Sequence, residues 1–203
     1  TWNVVRLPGE VNSEYHSHFG NYLNRKVLVA DRVLASTFYY YNAGGTNISG
    51  MWRTSDGGKT WARVFQGEIT NFSVFNATLG SVPGKAGQLF FTPGQLQGDP
   101  DIAFKRSIDG GATWTDVPGA SRIHAFGFGK PQFTGGYPTI FIAGTVGGKY
   151  GIYRSTDEGA TWQSMGFPNN SLDTVRAIDG DKSVFGRVYI GFAGSGATYG
   201  DMK

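Results

Sequence analysis

Several residues of this sequence could carry chemistry. Glu68 and the pair Asp99 and Asp101 offer carboxylates, and hydrolysis of a sugar linkage with inversion needs two of these roughly 6.5–9.5 Å apart. Plain loop carboxylates are the ordinary alternative. Tyr15, Phe19 and Tyr41 are aromatics of the kind that stack on sugar rings, and His16, His18, Asn42 and Gln95 are their polar neighbours. Together these seven form the candidate carbohydrate-binding set. His16 and His18 stand at strand spacing and could face one metal ion. The third histidine, His124, is far along the chain and cysteine is absent, so no metal and no cofactor is expected. Asp179-Gly180-Asp181 has oxygen donors for calcium, but reads first as a turn.

A stronger pattern repeats three times. Arg53-Thr54-Ser55-Asp56-Gly57-Gly58-Lys59-Thr60-Trp61 aligns without gaps with Arg106–Trp114 and Arg154–Trp162, giving R-[ST]-x-D-x-G-x-T-W. The aspartates are 53 and 48 residues apart, and a fourth Thr-Trp stands at Thr1-Trp2. Repeats at this period mark propellers, solenoids or arrays. The hydroxyl and the carboxylate can accept bonds from loop amides that lack a strand partner. The glycine supplies a backbone shape closed to other residues, and the indole can cover the loop. A catalytic group is not needed three times over, so the expectation is structural. Ser55, Asp56, Trp61, Ser107, Asp109, Trp114, Ser155, Asp157 and Trp162 are expected to hold these loops. Trp52, one residue before a repeat arginine, is expected on a sheet surface.

The elements that must position these residues are short strands. Glycine makes up 32 of 203 residues, more than twice the usual share near 7%. That excludes helical bundles and coiled coils, and the lack of cysteine excludes disulfide and thiolate-metal scaffolds. A hydrophobic content of 39% with 15% aromatics is enough to bury a core, which argues against disorder. The net charge of +3 is spread singly, without the basic stripe of a nucleic-acid binder. No apolar run is long enough to span a bilayer. Sequons at Asn47, Asn71, Asn76 and Asn169 are compatible with secretion. Strands are expected over 27–33, 36–41, 50–53 and 60–65, again over 73–78, 88–92, 102–106 and 113–117, and again over 124–129, 139–143, 151–154 and 161–165. Three more are expected over 174–177, 188–191 and 197–199. The predicted fold is all-β, a β-propeller of four-stranded antiparallel blades. Residues 1–8 read as a last strand, 9–66, 67–118 and 119–166 as complete blades, and 167–203 as three first strands. This is about four blades' worth of chain. It could close as a four-bladed ring or be part of a larger, seven-bladed propeller.

The repeat resembles the Asp box, also called the bacterial neuraminidase repeat. The wider sequence resembles glycoside hydrolase family 74, the xyloglucanases. Tyr22-Leu23-Asn24-Arg25-Lys26, Ala30-Asp31-Arg32-Val33, Phe38-Tyr39-Tyr40-Tyr41-Asn42, Val82-Pro83-Gly84-Lys85, Gly127-Phe128-Gly129-Lys130 with Tyr137-Pro138, Gly151–Ser155 and Gly186–Gly191 carry the likeness, in order along the chain. It implies two seven-bladed propellers facing across a glucan cleft, with this chain in the C-terminal part of the second. It implies an inverting endo-β-1,4-glucanase whose two catalytic aspartates lie outside these residues, so no catalytic residue is assigned. The implied partners are a plant cell-wall β-glucan such as xyloglucan and the remaining blades or the N-terminal propeller of a parent protein, with secretion and with neither nucleic acid nor membrane. Departures fall at Glu14–Phe19, where tryptophans are expected, at Phe167–Leu172 and at Phe192–Gly196. A sialidase is disfavoured because Arg122-Ile123 is followed by His124 rather than proline. The alternative reading is a four-bladed carbohydrate-binding or protein-interaction propeller without catalysis.

In a four-stranded blade the loops joining the first to second and third to fourth strands share one end. The repeat loops lie there, so ligand contacts are expected at the other end. That end includes residues 8–19, 41–47, 66–70, 93–101, 145–149 and 166–170.

Overall fold

The computed structural model describes residues 2–9, 26–42, 47–70, 77–95, 100–167 and 173–201. Tyr15, His16, His18, Phe19 and Asp99 lie outside them. Every regular element among the described residues is a β-strand, and all strand pairings between named strands are antiparallel. The chain divides into two compact units, residues 1–93 with 105–115, and residues 94–104 with 116–203.

The first unit opens with one complete blade, β1 (Leu28–Ala30), β2 (Phe38–Asn42), β3 (Gly50–Thr54) and β4 (Ala62–Gln66), in that order. β1 is shorter than expected because Asp31 turns the chain. Its Oδ1 accepts from the Val33 and Leu34 amides, both at 2.7 Å, and its Oδ2 accepts from the Tyr39 hydroxyl at 2.8 Å. β5 (Thr78–Ser81) and β6 (Leu89–Thr92) follow, with β7 (Ala103–Ser107) laddered to β6. Lys26 bridges Thr78 in parallel, so consecutive blades meet at their first strands. Val29, Tyr39, Tyr41, Met51, Leu79, Leu89 and Phe91 form one buried cluster between these blades. Alternation along β2 explains its contribution, since Tyr39 and Tyr41 share a face.

In the second unit, β8 (Thr115–Gly129) is one 15-residue strand where the sequence suggested two. The break survives as a bulge. Register with β9 (Thr139–Val146) shifts between Ser121 and Ala125, and Arg122 takes a φ of 47°. β9 pairs with β10 (Lys149–Ser155), and β10 with β11 (Gln163–Gly166). β12 (Val175–Gly180), β13 (Val188–Phe192) and β14 (Ala197–Gly200) form a three-stranded sheet. Phe141, Ala143, Ile152, Val175, Ile178, Val188 and Ile190 build the core between them. Here glycine permits close approach of backbones. A Cβ on Gly180 would lie 2.5 Å from the Cα of Gly129, and one on Gly127 would overlap the carbonyl oxygen of Ile178.

Residues 2–9 contain no strand and Trp2 is fully exposed, in contrast with the last strand expected at the start of the chain. Thr-Trp alone does not make a strand. β4 is held by its ladder to β3, as in the pairing of Arg53 with Ala62, and residues 2–7 have no such ladder.

Candidate functional site

The three repeat loops share one hydrogen-bond plan. In the second, the Ser107 hydroxyl donates to Asp109 Oδ1 at 2.8 Å and accepts from the Gly111 amide at 2.9 Å. Asp109 then accepts from the Thr113 amide at 3.0 Å and the Thr113 hydroxyl at 2.6 Å. Ser155, Asp157, Gly159 and Thr161 repeat this in the third loop. In the first loop the hydroxyl belongs to Thr54, not Ser55. Thr54 Oγ1 donates to Asp56 at 2.8 Å and accepts from the Gly58 amide at 3.0 Å, while Ser55 is exposed at the variable position. Ser55 is therefore replaced by Thr54 in the loop-holding set.

The tryptophans cover the loops in two ways. The Trp61 and Trp114 indoles donate to the Gly58 and Gly111 carbonyls, at 3.2 and 3.1 Å. The Trp162 indole reaches instead to the Pro118 carbonyl, at 3.3 Å. Gly57 N donates to Ser36 O at 2.9 Å and Gly110 N to Gly87 O at 2.8 Å, so the first two repeat loops each lie beside the first hairpin of their own blade.

All three loop aspartates are held below the usual carboxylate range. For Asp56 the Thr60 hydroxyl acts most, then the Thr60 amide and the Thr54 hydroxyl. For Asp109 and Asp157 burial pushes upward, but bonds from Thr113 and Ser107, and from Thr161 and Ser155, outweigh it. A carboxylate whose value is lowered by folding stabilises the fold fully above its unfolded value, about 3.9, and loses that contribution as pH falls through the lowered one. Thermal melting is therefore expected to weaken below about pH 4. Asp109→Ala is expected to cost about 1–3 kcal/mol near neutral pH, because it strips partners from the Thr113 and Ser107 groups. Asp109→Asn is expected to flatten the acid limb of a melting-against-pH series.

At the opposite end the structure corrects the candidate binding set. Tyr41 is wholly buried, edge-on to Phe91 with ring centroids 4.9 Å apart, and its oxygen accepts from the Ile69 amide at 3.2 Å. Burial pushes its phenol far above the ordinary value. It is a core residue that no sugar can reach. Asn42 is also buried, as is Gln95, whose amide nitrogen donates to the Pro100 carbonyl. Neither offers an open polar edge. Trp52 is buried as well, not set on a sheet surface. Its indole donates to Ile48 O at 2.8 Å and the Arg63 guanidinium caps its ring.

Of the acidic candidates, Asp99 lies outside the described residues. Asp101 pairs with Arg122 at 3.6 Å, and Glu68 is exposed. Asp179 Oδ1 accepts from the Phe128 and Gly180 amides and from Lys182, and Asp181 Oδ1 from the Ser183 and Val184 amides. These oxygens hold turns. Among the described residues no group of three His, Asp or Glu is placed to hold a metal ion.

Two arrangements escaped sequence reasoning. Asp181 with Tyr189 repeats the hairpin device of Asp31 with Tyr39, each tyrosine eight residues after its aspartate. That spacing was the available signal. Asp173 takes the Gly194 amide and the Ser195 amide and hydroxyl, which lower its value to about 2. Nothing in the sequence brings residues 173 and 194 together before the strand order is known.

Comparison with known proteins fits this architecture. The chain is 29% identical over 174 residues to a xyloglucanase of a Paenibacillus species, and the match covers 86% of this chain and 16% of that enzyme. It is 30% identical over 184 residues to the oligoxyloglucan-reducing end-specific xyloglucanase of Emericella nidulans, covering 86% of this chain and 21% of that one. The crystal structure of a glycoside hydrolase family 74 enzyme of Niastella koreensis superposes with a TM-score of 0.64 at 29% identity, over 85% of this chain and 24% of that one. The chain is a relative of the family 74 xyloglucanases. Its strands are blades of the β-propeller kind. An ancestral family 74 enzyme shares the fold, with a TM-score of 0.58 at 23% identity. No protein-family profile matches the chain. It spans about a fifth of the length of the curated relatives it matches.

Proposed function

We propose that this chain is a propeller segment of a secreted xyloglucanase-like glycoside hydrolase. In this reading it supplies part of a glucan-binding cleft and not the catalytic aspartates, its three repeat loops are Asp boxes, and its place is the C-terminal part of a second propeller. The observation that supports the reading best is identity of 29–30% to xyloglucanases across 86% of the chain.

With Tyr41, Asn42 and Gln95 buried, sugar stacking falls to Tyr15 and Phe19, with His16 and His18 beside them in sequence. Calorimetry with xyloglucan oligosaccharides tests this. Binding is expected, and Tyr15→Ala is expected to weaken it about three- to tenfold, the scale of one aromatic stacking contact. Heat that is absent at millimolar oligosaccharide, or that is indifferent to both Tyr15→Ala and Phe19→Ala, would remove this surface from the cleft.

A further inference from the structure

The repeat-loop end, where no ligand contact was expected, holds a pocket with an unusual arginine. Of the three repeat arginines, Arg53 is exposed, Arg106 is half-buried, and Arg154 is 7% exposed. The Arg154 Nε and Nη2 both donate to Gln163 Oε1, at 3.2 and 2.6 Å, and its guanidinium lies over the Phe185 ring at 5.6 Å. Its Nη1 is buried and has no hydrogen-bond partner, and no carboxylate pairs with the side chain among the described residues. Buried charges are ordinarily paired, and an orphaned charged donor is costly. Asp157, two residues past Ser155, does not compensate, because its carboxylate is spent on Ser155 and Thr161.

Arg154 lines a pocket of about 190 Å³, with Gln132, Ser155, Thr156, Thr161, Trp162, Gln163 and Phe185 as the other walls. That is below the roughly 300–1,000 Å³ of sites for drug-sized ligands, so it suits one small unit. The lining carries a single positive group, which matches one carboxylate better than a dianionic phosphate. The Ser155 and Thr161 hydroxyls are held by Asp157 and the Trp162 indole N–H by the Pro118 carbonyl, so the Gln132 and Gln163 amides and the Thr156 hydroxyl are the walls that suit sugar hydroxyls, and Trp162 is the one that suits a ring face. Burial lowers the guanidinium value from its ordinary level, and the cause is loss of water contact.

We propose that the Arg154 pocket is a second binding site, for the carboxylate of a single uronic acid unit. The carboxylate meets Nη1 after a small displacement of the exposed rim residues Gln132 and Gln163. The site is independent of the reading given above.

The test is a titration of the isotope-labelled 203-residue chain with sodium glucuronate at constant ionic strength, reading the Trp162 indole and Arg154 side-chain resonances. Saturable shifts of both are expected. Arg154→Lys is expected to weaken binding about tenfold or more, the scale of a lost hydrogen bond to a charged group. Gln132→Glu changes an exposed side chain, leaves melting unchanged, and is expected to abolish the shifts by placing a negative charge on the rim. Glucose, which lacks the carboxylate, is expected to leave both resonances in place. The proposal is overturned if glucuronate moves neither resonance, if Gln132→Glu binds it as the parent does, or if glucose or acetate alone reproduces the effect.

Discussion

Tyr41→Ala is expected to cost about 3–5 kcal/mol of folding stability, the range for emptying an aromatic core site. A chain of this size should then melt roughly 10 °C lower. The side chain is wholly buried and packs edge-on to Phe91, so its removal leaves a cavity in the cluster of Tyr39, Met51, Leu79 and Leu89. Tyr41→Phe keeps the ring and removes only the acceptor of the Ile69 amide, with an expected cost of about 1 kcal/mol. Thermal and denaturant melts of the pair check both. An unchanged melt for Tyr41→Ala with loss of glucan binding would return the residue to the ligand surface.

Gly50→Ala is expected to be as damaging, at about 3–5 kcal/mol, because it combines backbone strain with a steric overlap. Gly50 has a φ of 137°, and a Cβ there would run into the carbonyl oxygen of Phe65 on the paired strand β4. Neither β3 nor β4 can yield without opening the ladder that joins Gly50 to Gln66 and Met51 to Phe65. Gly57→Ala is the control. Its φ of 76° is also left-handed, but an added methyl meets nothing, so only the conformational cost of about 1–2 kcal/mol is expected. Equal melting points for the two variants would contradict the packing described for β3.

These two positions show where the sequence could be read and where it could not. The repeat loops were legible because their bonds are local. Ser107, Asp109, Gly111 and Thr113 lie within seven residues of chain, and their spacing alone fixes who can reach whom. The residue named at the first loop was off by one, and only the bonds of Thr54 show which hydroxyl is used. Tyr41 was misread for a different reason. Three consecutive tyrosines at 39–41 carry no face signal, since alternation puts Tyr39 and Tyr41 on one face and Tyr40 on the other without saying which face is inside, and the choice is made by packing against Phe91 from the next blade. The burial of Gln95 and Asn42 depends on neighbours distant in sequence. Arg154 was seen only as a member of the repeat. Its isolation from a counter-charge follows from Phe185 and Gln163 closing over it, and neither is predictable from the R-[ST]-x-D pattern.

The central claim, that this chain binds glucan without cleaving it, is tested most directly by incubating it with xyloglucan while following retention on the polysaccharide and release of reducing ends in one experiment. The account predicts retardation of the chain in a xyloglucan-containing gel with no reducing ends above the substrate blank. Sustained release of reducing ends by the purified 203-residue chain would contradict it, because a catalytic carboxylate pair would then have to lie within these residues.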